Sequence, residues 1–172
     1  MIIINDKTKC CGCSACANTC PKNCISMKPD EEGFLYPVTN AAECVACGLC
    51  QKICPVIQSL NNRKAGTVLD TFGGNTKDEW LRENSSSGGI FGMLAKSFFA
   101  DSGVVVGAAF SDDFYSVRHI CIETKDEIYR LQGSKYLQSE INDTYKKVKD
   151  FLQQGRKVLF TGTPCQVAGL KA

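Results

Sequence analysis

The chain has 172 residues, a formal net charge of +2 and twelve cysteines. The small charge does not favour nucleic-acid binding, and no segment approaches the roughly 20 consecutive apolar residues of a membrane-spanning helix. Ten of the twelve cysteines lie within the first 54 residues. This skew predicts a metal-built domain over 1–60, a polar connector over 61–70 and a conventional domain over 71–172.

The N-terminal domain is predicted to begin with a short strand, Met1–Asn5, and to contain a β-hairpin. Apolar residues alternate on both sides of an Asp-Glu-Glu-Gly turn, which is the pattern of two paired strands. The alternating residues are Ile25, Met27, Phe34, Tyr36 and Val38. Since this domain has few large apolar side chains, we expect its folding to depend on bound metal.

One cysteine spacing, Cys-x2-Cys-x2-Cys-x3-Cys-Pro, occurs on either side of this hairpin. Its two copies are Cys10, Cys13, Cys16 and Cys20, and, each 34 residues later, Cys44, Cys47, Cys50 and Cys54. This is the run of bacterial ferredoxins, and it predicts two 4Fe–4S clusters. The fourth cysteine of such a run ligates the other cluster. The expected ligands are therefore Cys10, Cys13, Cys16 and Cys54 for cluster one, and Cys44, Cys47, Cys50 and Cys20 for cluster two.

A zinc site and a disulfide scaffold fit the cysteines less well. Zinc usually takes pairs of cysteines from separate hairpins, and the continuous triplets here differ from that pattern. A disulfide scaffold would require a secreted protein, whereas the N-terminus lacks the basic region and long apolar run of a signal peptide. We therefore expect a cytoplasmic protein whose thiols stay reduced and bind metal.

From residue 71 onward the sequence predicts a mixture of helices and strands. Continuous apolar runs indicate buried strands, and an apolar stripe that ends at Gly155 indicates a helix. The predicted strands are Thr71–Gly73, Val104–Ala109, Val117–Ile122 and Lys157–Thr161. The predicted helices are Ile90–Phe99, Lys125–Leu131, Asn142–Gln153 and one that begins near Pro164. The expected fold class is α+β, a bacterial-type two-cluster ferredoxin domain followed by an α/β module.

Two sequences in this module are candidates for binding the phosphate of a flavin or nucleotide. A Ser-Ser-Ser-Gly-Gly loop precedes a helix, where backbone N–H groups bind anions, and Gly-Ser-Lys-Tyr offers a turn, a hydroxyl, a cation and a ring. A serine helix cap and an ordinary surface turn are the respective alternatives. The candidate residues are Ser86, Ser87, Gly88 and Gly89 in the first sequence, and Ser134, Lys135 and Tyr136 in the second.

Cys165 follows Gly-Thr-Pro at the end of a predicted strand, where α/β folds place ligands. It is a candidate nucleophile, a candidate ligand of a further cluster, or a buried thiol. We expect the remaining cysteines and the single histidine to be structural: Cys11, Cys24, Cys121 and His119. Because a helix has barely begun at Ala172, we also expect the chain to be part of a longer polypeptide.

Three sequences occur in order in the second module: Ser-Ser-Ser-Gly-Gly, Gly-Ser-Lys-Tyr-Leu-Gln-Ser and Val-Leu-Phe-Thr-Gly-Thr-Pro-Cys-Gln-Val-Ala-Gly-Leu. Together they resemble the family of the coenzyme F-420 hydrogenase/dehydrogenase beta subunit, many of whose members carry a two-cluster ferredoxin domain in front. The resemblance implies that residues 71–172 are the N-terminal half of a flavoprotein domain. It implies FAD near Ser86, Ser87, Gly88, Gly89, Ser134, Lys135 and Tyr136, and a further 4Fe–4S cluster that Cys165 shares with ligands beyond Ala172.

The clusters and the resemblance predict an iron–sulfur oxidoreductase subunit that passes electrons between two 4Fe–4S clusters and a flavin. A flavin links the one-electron chemistry of clusters to two-electron hydride chemistry. The resemblance implies a deazaflavin coenzyme or a chlorophyll derivative as substrate, with a redox protein or a small-molecule electron carrier as partner. The alternative is a non-catalytic ferredoxin-type carrier or adaptor with a docking domain. A regulatory protein that senses oxidation through its clusters is a third hypothesis.

Overall fold

A computed structural model of the chain describes residues 1–4, 6–61 and 70–172. Contacts between residues divide it into two units. The first, called the cysteine unit, contains the described residues up to 61 together with 141–145 and 162–172. The second, called the sheet unit, contains 70–140 and 146–161. The connector predicted at 61–70 lies almost entirely outside the described residues, and the domain boundary beside it stays a prediction.

Short helices and strands occur in both units. In chain order the helices are α1 (Ala15–Thr19), α2 (Leu49–Lys52), α3 (Pro55–Asn61), α4 (Glu79–Glu83), α5 (Ile90–Phe99), α6 (Ile128–Leu131), α7 (Thr144–Gln153) and α8 (Pro164–Lys171). The strands are β1 (Ile25–Pro29), β2 (Leu35–Thr39), β3 (Val104–Phe110), β4 (Val117–Ile122), β5 (Ser139–Glu140) and β6 (Val158–Phe160). A 3₁₀ turn precedes α6 at Lys125–Glu127, and another covers Lys7–Lys9. This mixture confirms the α+β class.

The hairpin predicted between the two cysteine repeats is present in the cysteine unit. β1 and β2 pair antiparallel, with Ile25 opposite Thr39 and Pro29 opposite Leu35. The turn between them is closed by Asp30, whose carboxylate accepts from the N–H groups of Glu32 and Phe34. The acidic turn residues thus fix the strand register that the apolar alternation predicted.

The core of the cysteine unit is small and rich in thiols. One cluster of buried side chains in this unit contains Ile2, Cys16, Cys24, Ile25 and Cys50. The strand predicted at Met1–Asn5 is wrong over its described part, because residues 1–4 form no strand. This segment is held by a side chain instead of by backbone pairing, since Ile2 inserts into the core and is only 7% exposed.

The sheet unit is built around β3, an inner strand of a mixed sheet with the order β5-β4-β3-β6. β3 runs antiparallel to β4 and parallel to β6, and β4 runs parallel to β5. Val104, Val105 and Val106 are fully buried, since β3 has a strand on each side and contacts α5 and α6. A strand covered on both faces has a continuous apolar sequence, which is the pattern that predicted it.

Two parts of the sheet unit differ from the prediction. Thr71–Gly73 form no strand, because the Phe72 side chain is 89% exposed and the following glycines add no side chain that could pack on a sheet. α4 was not predicted. It begins after Asp78, whose carboxylate accepts from the Leu81 N–H at 3.0 Å, and it is too short for its periodicity to be recognised.

Gly107 lies in β3 at a close approach of two neighbouring segments. A Cβ at this position would lie 2.7 Å from the Thr161 hydroxyl oxygen and 3.4 Å from Leu131 Cδ1. Thr161 is fixed, because its N–H and its hydroxyl both donate to the Val106 carbonyl. We expect Gly107→Ala to lower the free energy of unfolding by about 1–3 kcal/mol, the usual cost of overpacking.

Chemical denaturation followed by the fluorescence of Trp80, the single tryptophan, measures this change. Gly73→Ala is the matched control, since a Cβ there meets nothing within 4 Å. It should change the free energy of unfolding by less than about 0.5 kcal/mol. Equal losses in the two variants would contradict the packing argument.

Candidate iron–sulfur centre

The two cysteine loops share a backbone turn as well as a spacing. Gly12 and Ser14 in the first loop have positive φ angles of 60° and 62°, and their counterparts in the second, Ala46 and Gly48, have 51° and 75°. Left-handed backbone is uncommon at Ser and Ala. Its recurrence at equivalent positions shows that both loops curl in the same way, which turns their N–H groups toward the cysteine sulfurs.

Backbone N–H groups donate to the sulfurs of several cysteines in these loops. The N–H of Ala46 lowers the pKa of Cys44, whereas burial raises the pKa of Cys16 to about 12 despite an N–H from Ala17. Such donors stabilise thiolate, the form that binds iron, and they tune the potential of a cluster. Two further pairs are Gly12 with Cys10 and Ala15 with Cys13.

A cavity of about 280 Å³ lies at the first cysteine loop. Three of its cysteines, Cys10, Cys13 and Cys16, come from the first repeat, and Cys54 comes from the second. This is the ligand set expected for cluster one. Most of the remaining wall is apolar and would keep water from the sulfurs; it includes Ile2, Ile4, Met27, Pro37, Val56 and Ile57.

A smaller cavity of about 20 Å³ lies at the second cysteine loop. Its lining combines three cysteines of the second repeat with Cys20 of the first, the set expected for cluster two: Cys20, Cys44, Cys47 and Cys50. Cys24 also lines it, with its Sγ 3.4 Å from the Sγ of Cys20. The contact with Cys20 raises the pKa of Cys24 to about 11. Cys24 is therefore a neighbour of the ligand set, which its irregular spacing did not reveal.

The cysteine donors of both cavities are of the type that ligates 4Fe–4S clusters. Within the described residues, no three Cys, His, Asp or Glu side chains are arranged to hold one metal ion. Zinc would require such a group, with sulfurs about 2.3 Å from the metal. A 4Fe–4S cluster instead spreads its four thiolates over four irons.

Cys165 lies in the cysteine unit, close to the first loop. α8 begins with a capping box, in which Thr163 and Gln166 each accept from the other's backbone N–H. Thr163 Oγ1 lies 3.1 Å from Cys165 Sγ. Burial raises the pKa of the Cys165 thiol, and the nearby Cys11 side chain raises it further. The sequence offered no signal for this approach, because the two ends of the contact are far apart in the chain.

Two features hold α8 against the first loop. The buried hydroxyl of Tyr145 lies 2.9 Å from the Cys13 carbonyl oxygen and 3.0 Å from that of Gln166, and its single proton is shared between these two acceptors. At Gly169, a Cβ would lie 3.0 Å from Ala15 Cβ and 3.4 Å from Cys13 Sγ. The absence of a side chain at Gly169 therefore allows α8 to approach α1 this closely.

The two sequences predicted to bind a flavin meet in the sheet unit. The Ser134 N–H donates to Ser86 Oγ at 2.9 Å, and Ser87 beside it is exposed. The N-cap of α5 is Gly89, which has no side chain that could cap the helix. The serine-cap alternative is therefore wrong, and the first N–H groups of α5 can serve an anion.

The glycines of this loop are required by packing. A Cβ on Gly88 would lie 2.7 Å from the Gly74 carbonyl oxygen, and one on Gly89 would lie 2.5 Å from Thr76 Cγ2. Gly89 also has a φ of +75°. These glycines shape the loop through contacts with residues 74–76, which sequence reasoning did not foresee.

Lys135 and Tyr136 have different environments. Lys135 Nζ donates to the carbonyl oxygens of Gln132 at 2.7 Å and Arg130 at 3.3 Å, and burial lowers the pKa of its ammonium group. The ammonium group therefore stabilises the end of α6. The Tyr136 side chain is 94% exposed, so its ring can cover a ligand.

Gln132 is a candidate ligand contact that sequence reasoning missed. Both polar atoms of its side chain are buried, and within the described residues neither has a hydrogen-bond partner. Its Nε2 lies on the α5 side, 3.6 Å from the position of a Cβ on Gly92. Buried polar groups are normally satisfied, so this amide is suited to a bound ligand. A glutamine between a helix and a turn carries no distinctive sequence signal.

His119 and Cys121 lie on β4, away from these residues in sequence. His119 Nε2 lies 3.0 Å from the Thr161 carbonyl oxygen, and its ring stacks on Phe160 with 5.4 Å between centroids. Burial lowers its pKa. These contacts support the structural role expected of His119.

Two family models match the chain in succession. Residues 9–57 match the 4Fe-4S dicluster domain, and residues 71–146 match the N-terminal domain of the coenzyme F420 hydrogenase/dehydrogenase beta subunit. The first range includes both cysteine runs, and the second includes both sequences predicted to bind a flavin. Among the described residues, no helix has the length and apolar character needed to cross a membrane.

Several curated proteins are similar to this chain. A subunit of the F(420)H(2) dehydrogenase of Methanosarcina mazei is 21% identical over 166 residues, which cover 91% of this chain and 46% of the relative. An uncharacterized protein of Methanocaldococcus jannaschii is 25% identical over 192 residues, covering 94% and 52% respectively. An uncharacterized polyferredoxin-like protein of the same organism is 37% identical over 60 residues, covering 30% and 36%. The chain thus spans about half, or less, of these relatives.

Proposed function

We propose that this chain passes electrons between two 4Fe–4S clusters and a flavin within an oxidoreductase. It joins a match to the 4Fe-4S dicluster domain to a match to the N-terminal domain of the coenzyme F420 hydrogenase/dehydrogenase beta subunit. The dicluster domain makes it an iron–sulfur electron-transfer protein. The observation that carries the finer proposal is the pair of cavities in the cysteine unit. Each is lined by three cysteines of one repeat and the fourth of the other.

The residues of the cysteine unit have separate roles in this function. When bound, the clusters supply one-electron transfer. The curled loops present the thiolates, and their N–H groups donate to the sulfurs. Ile2, Ile4 and Met27 line the first cavity and exclude water from it, which is one of the factors that set a cluster potential.

The flavin part of the proposal rests on three features of the sheet unit. The hydrogen bond between Ser134 and Ser86 joins the two candidate sequences. The N-terminus of α5 has no side-chain cap, which suits a phosphate. The side-chain amide of Gln132, which has no hydrogen-bond partner among the described residues, lies near Gly92 of α5 and directly precedes the second sequence. Such an amide would suit the polar edge of a flavin ring.

The name of one relative indicates the substrate class. Because the relative from Methanosarcina mazei is a subunit of F(420)H(2) dehydrogenase, we infer that this chain exchanges electrons with a reduced deazaflavin carrier through the flavin. Cys165 would contribute to a further 4Fe–4S cluster, as the family resemblance implies. Its remaining ligands would come from residues outside this chain, such as those in the part of the relatives that the chain does not span.

Anaerobic reconstitution followed by an iron assay tests the central proposal. We expect about eight irons per chain, since two 4Fe–4S clusters carry four each. About four irons, or zinc at one ion per site, would refute it. FAD titrated into the reconstituted chain separates the flavin proposal from the ferredoxin-type carrier, which would not bind it.

We expect Gln132→Leu to weaken FAD binding without destabilising the sheet unit. The loss of a hydrogen bond to the ligand costs about 0.5–1.5 kcal/mol, which raises the Kd roughly twofold to thirteenfold. Removing an unsatisfied buried amide should leave the free energy of unfolding unchanged or raise it. Fluorescence titration of FAD and chemical denaturation measure the two effects.

The matched control for this variant is Gln154→Leu, which changes an exposed glutamine of the same unit. It should leave the Kd for FAD unchanged. If Gln132→Leu binds FAD as tightly as the unmodified chain, Gln132 does not contact the flavin.

A further inference from the structure

Cys24 is a buried thiol that neither predicted ligand set includes. Its side chain is only 7% exposed, and it lines the second cavity together with Cys20, Cys44, Cys47 and Cys50. Its Sγ lies 3.4 Å from the Sγ of Cys20, within hydrogen-bond distance for two sulfur atoms. Cys24 therefore contacts the one expected ligand of cluster two that comes from the first repeat.

The backbone around Cys24 is fixed on both sides. The turn after Cys20 is closed by the Asn23 N–H, which donates to the Cys20 carbonyl at 3.1 Å, and Asn23 has a left-handed backbone with a φ of 50°. The Cys24 carbonyl accepts from the Asn40 N–H at 2.8 Å, directly before β1 begins. The turn and the hairpin thus keep the Cys24 side chain beside Cys20.

The second repeat has no cysteine at the corresponding position. The residue four after its last cysteine, Cys54, is Gln58. The chain forms α3 there, and the Gln58 N–H donates to the Cys54 carbonyl at 3.0 Å. Val56 and Ile57 line the first cavity, whereas Gln58 does not. At this position the two repeats differ, and the thiol accompanies the ligand of cluster two.

Chemistry fixes the direction of the hydrogen bond between Cys24 and Cys20. A cysteine that ligates iron is a thiolate, which accepts hydrogen bonds and donates none. Because the Cys20 sulfur is then the acceptor, the Cys24 S–H must be the donor. Hydrogen bonds to the sulfurs are among the factors that set the reduction potential of a cluster. A donor stabilises the more negative, reduced cluster and so raises this potential.

We propose that Cys24 is a positioning residue that donates its S–H to the Cys20 sulfur and raises the reduction potential of cluster two. The proposal rests on the two clusters of the proposed function. An exchange between the clusters moves one electron, so that one cluster is reduced while the other is oxidised, and no bond or proton is transferred. A higher potential at cluster two shifts this exchange toward cluster two.

Redox titration of the reconstituted chain, followed by electron paramagnetic resonance, tests the proposal. We expect Cys24→Ala, which removes the donor, to lower one of the two midpoint potentials and leave the other in place. Cys24→Ser keeps a donor on a side chain of similar size, so its potentials should lie closer to those of the unmodified chain. Cys121→Ala, a cysteine variant in the sheet unit, should change neither potential.

A second background identifies the cluster that responds. Cys54→Ala is expected to keep cluster two alone, because Cys54 lines the first cavity and does not line the second. Adding Cys24→Ala to this variant should lower the single remaining midpoint potential. If the remaining potential does not change, Cys24 does not act on cluster two.

An iron count accompanies each titration and separates the possible failures. If the unmodified chain does not reach about eight irons, the proposed function fails. If it does, and both potentials stay unchanged in Cys24→Ala, the role of Cys24 is refuted. An equal drop in Cys24→Ser would refute the hydrogen bond. Where only Cys24→Ala fails to assemble, the larger Cys24→Val replaces it with the same expected drop. If both variants stop near four irons, Cys24 is required to hold cluster two, which also refutes the proposed role.

Discussion

Replacing Cys54 with alanine is expected to remove cluster one, although Cys54 belongs to the second cysteine repeat. Cys54 lines the first cavity with Cys10, Cys13 and Cys16, and it does not line the second. Without its thiolate one iron lacks a protein ligand, so the iron count should fall from about eight toward four. Electron paramagnetic resonance of the reduced variant should show the signal of one cluster instead of two.

Cys121→Ala is the control for this experiment, since Cys121 lies on β4 in the sheet unit and should leave the iron count unchanged. The reciprocal variant must remove two thiols. In Cys20→Ala alone, Cys24 could replace the lost ligand, because its Sγ lies 3.4 Å from that of Cys20. We expect Cys20→Ala combined with Cys24→Ala to lose cluster two. Loss of the cluster of the mutated cysteine's own repeat would contradict the exchange of ligands.

Removal of iron is expected to unfold the cysteine unit and leave the sheet unit folded. The buried cluster around the cysteine loops contains two isoleucines and three cysteines, and a core this small rarely supplies more than about 3–5 kcal/mol. The sheet unit has its own core, built from Ala95, Val105, Ala109, Ile122, Ile128 and Leu131. Metal binding in such small domains is a large part of their folding free energy.

Hydrogen exchange measured on the reconstituted and the iron-free chain distinguishes the two units. Amides of β1 and β2 should lose protection when iron is removed, whereas those of β3 and β4 should keep it. The control is the same treatment followed by reconstitution, which should restore protection in the hairpin. Retained protection of β1 and β2 without iron would show that apolar packing alone holds this unit.

Much of the fold followed from patterns that are local in sequence. The helix at Ile90–Phe99 and the strand at Val117–Ile122 have the predicted bounds, because periodicity and flanking glycines fix such elements. Elements that depend on long-range contacts were missed or wrong. β5 has two residues and exists through its pairing with β4, and residues 1–4 are held by burial of Ile2.

The features of the candidate sites also differ in whether local sequence or long-range contacts determine them. The cysteine spacing predicted both ligand sets, and each set lines a cavity. Spacing could not predict that α8 lies against the first cysteine loop, because that contact depends on the packing of Gly169 against Ala15 and Cys13. Nor could it reveal that Gln132 is buried without a partner among the described residues. Such features arise from tertiary contacts, which produce no periodic pattern of residues in the sequence.

The cysteine unit is assembled from segments that are far apart in the chain, and this affects its biosynthesis. Residues 1–61 leave the ribosome before 162–172, which contribute α8 to the same unit. At roughly 5–20 residues per second, translation of the intervening stretch of about 100 residues takes about 5–20 s. During that interval the first cysteine loop lacks its α8 cover. The nascent thiols are then open to oxidation, and also to the machinery that delivers iron and sulfide.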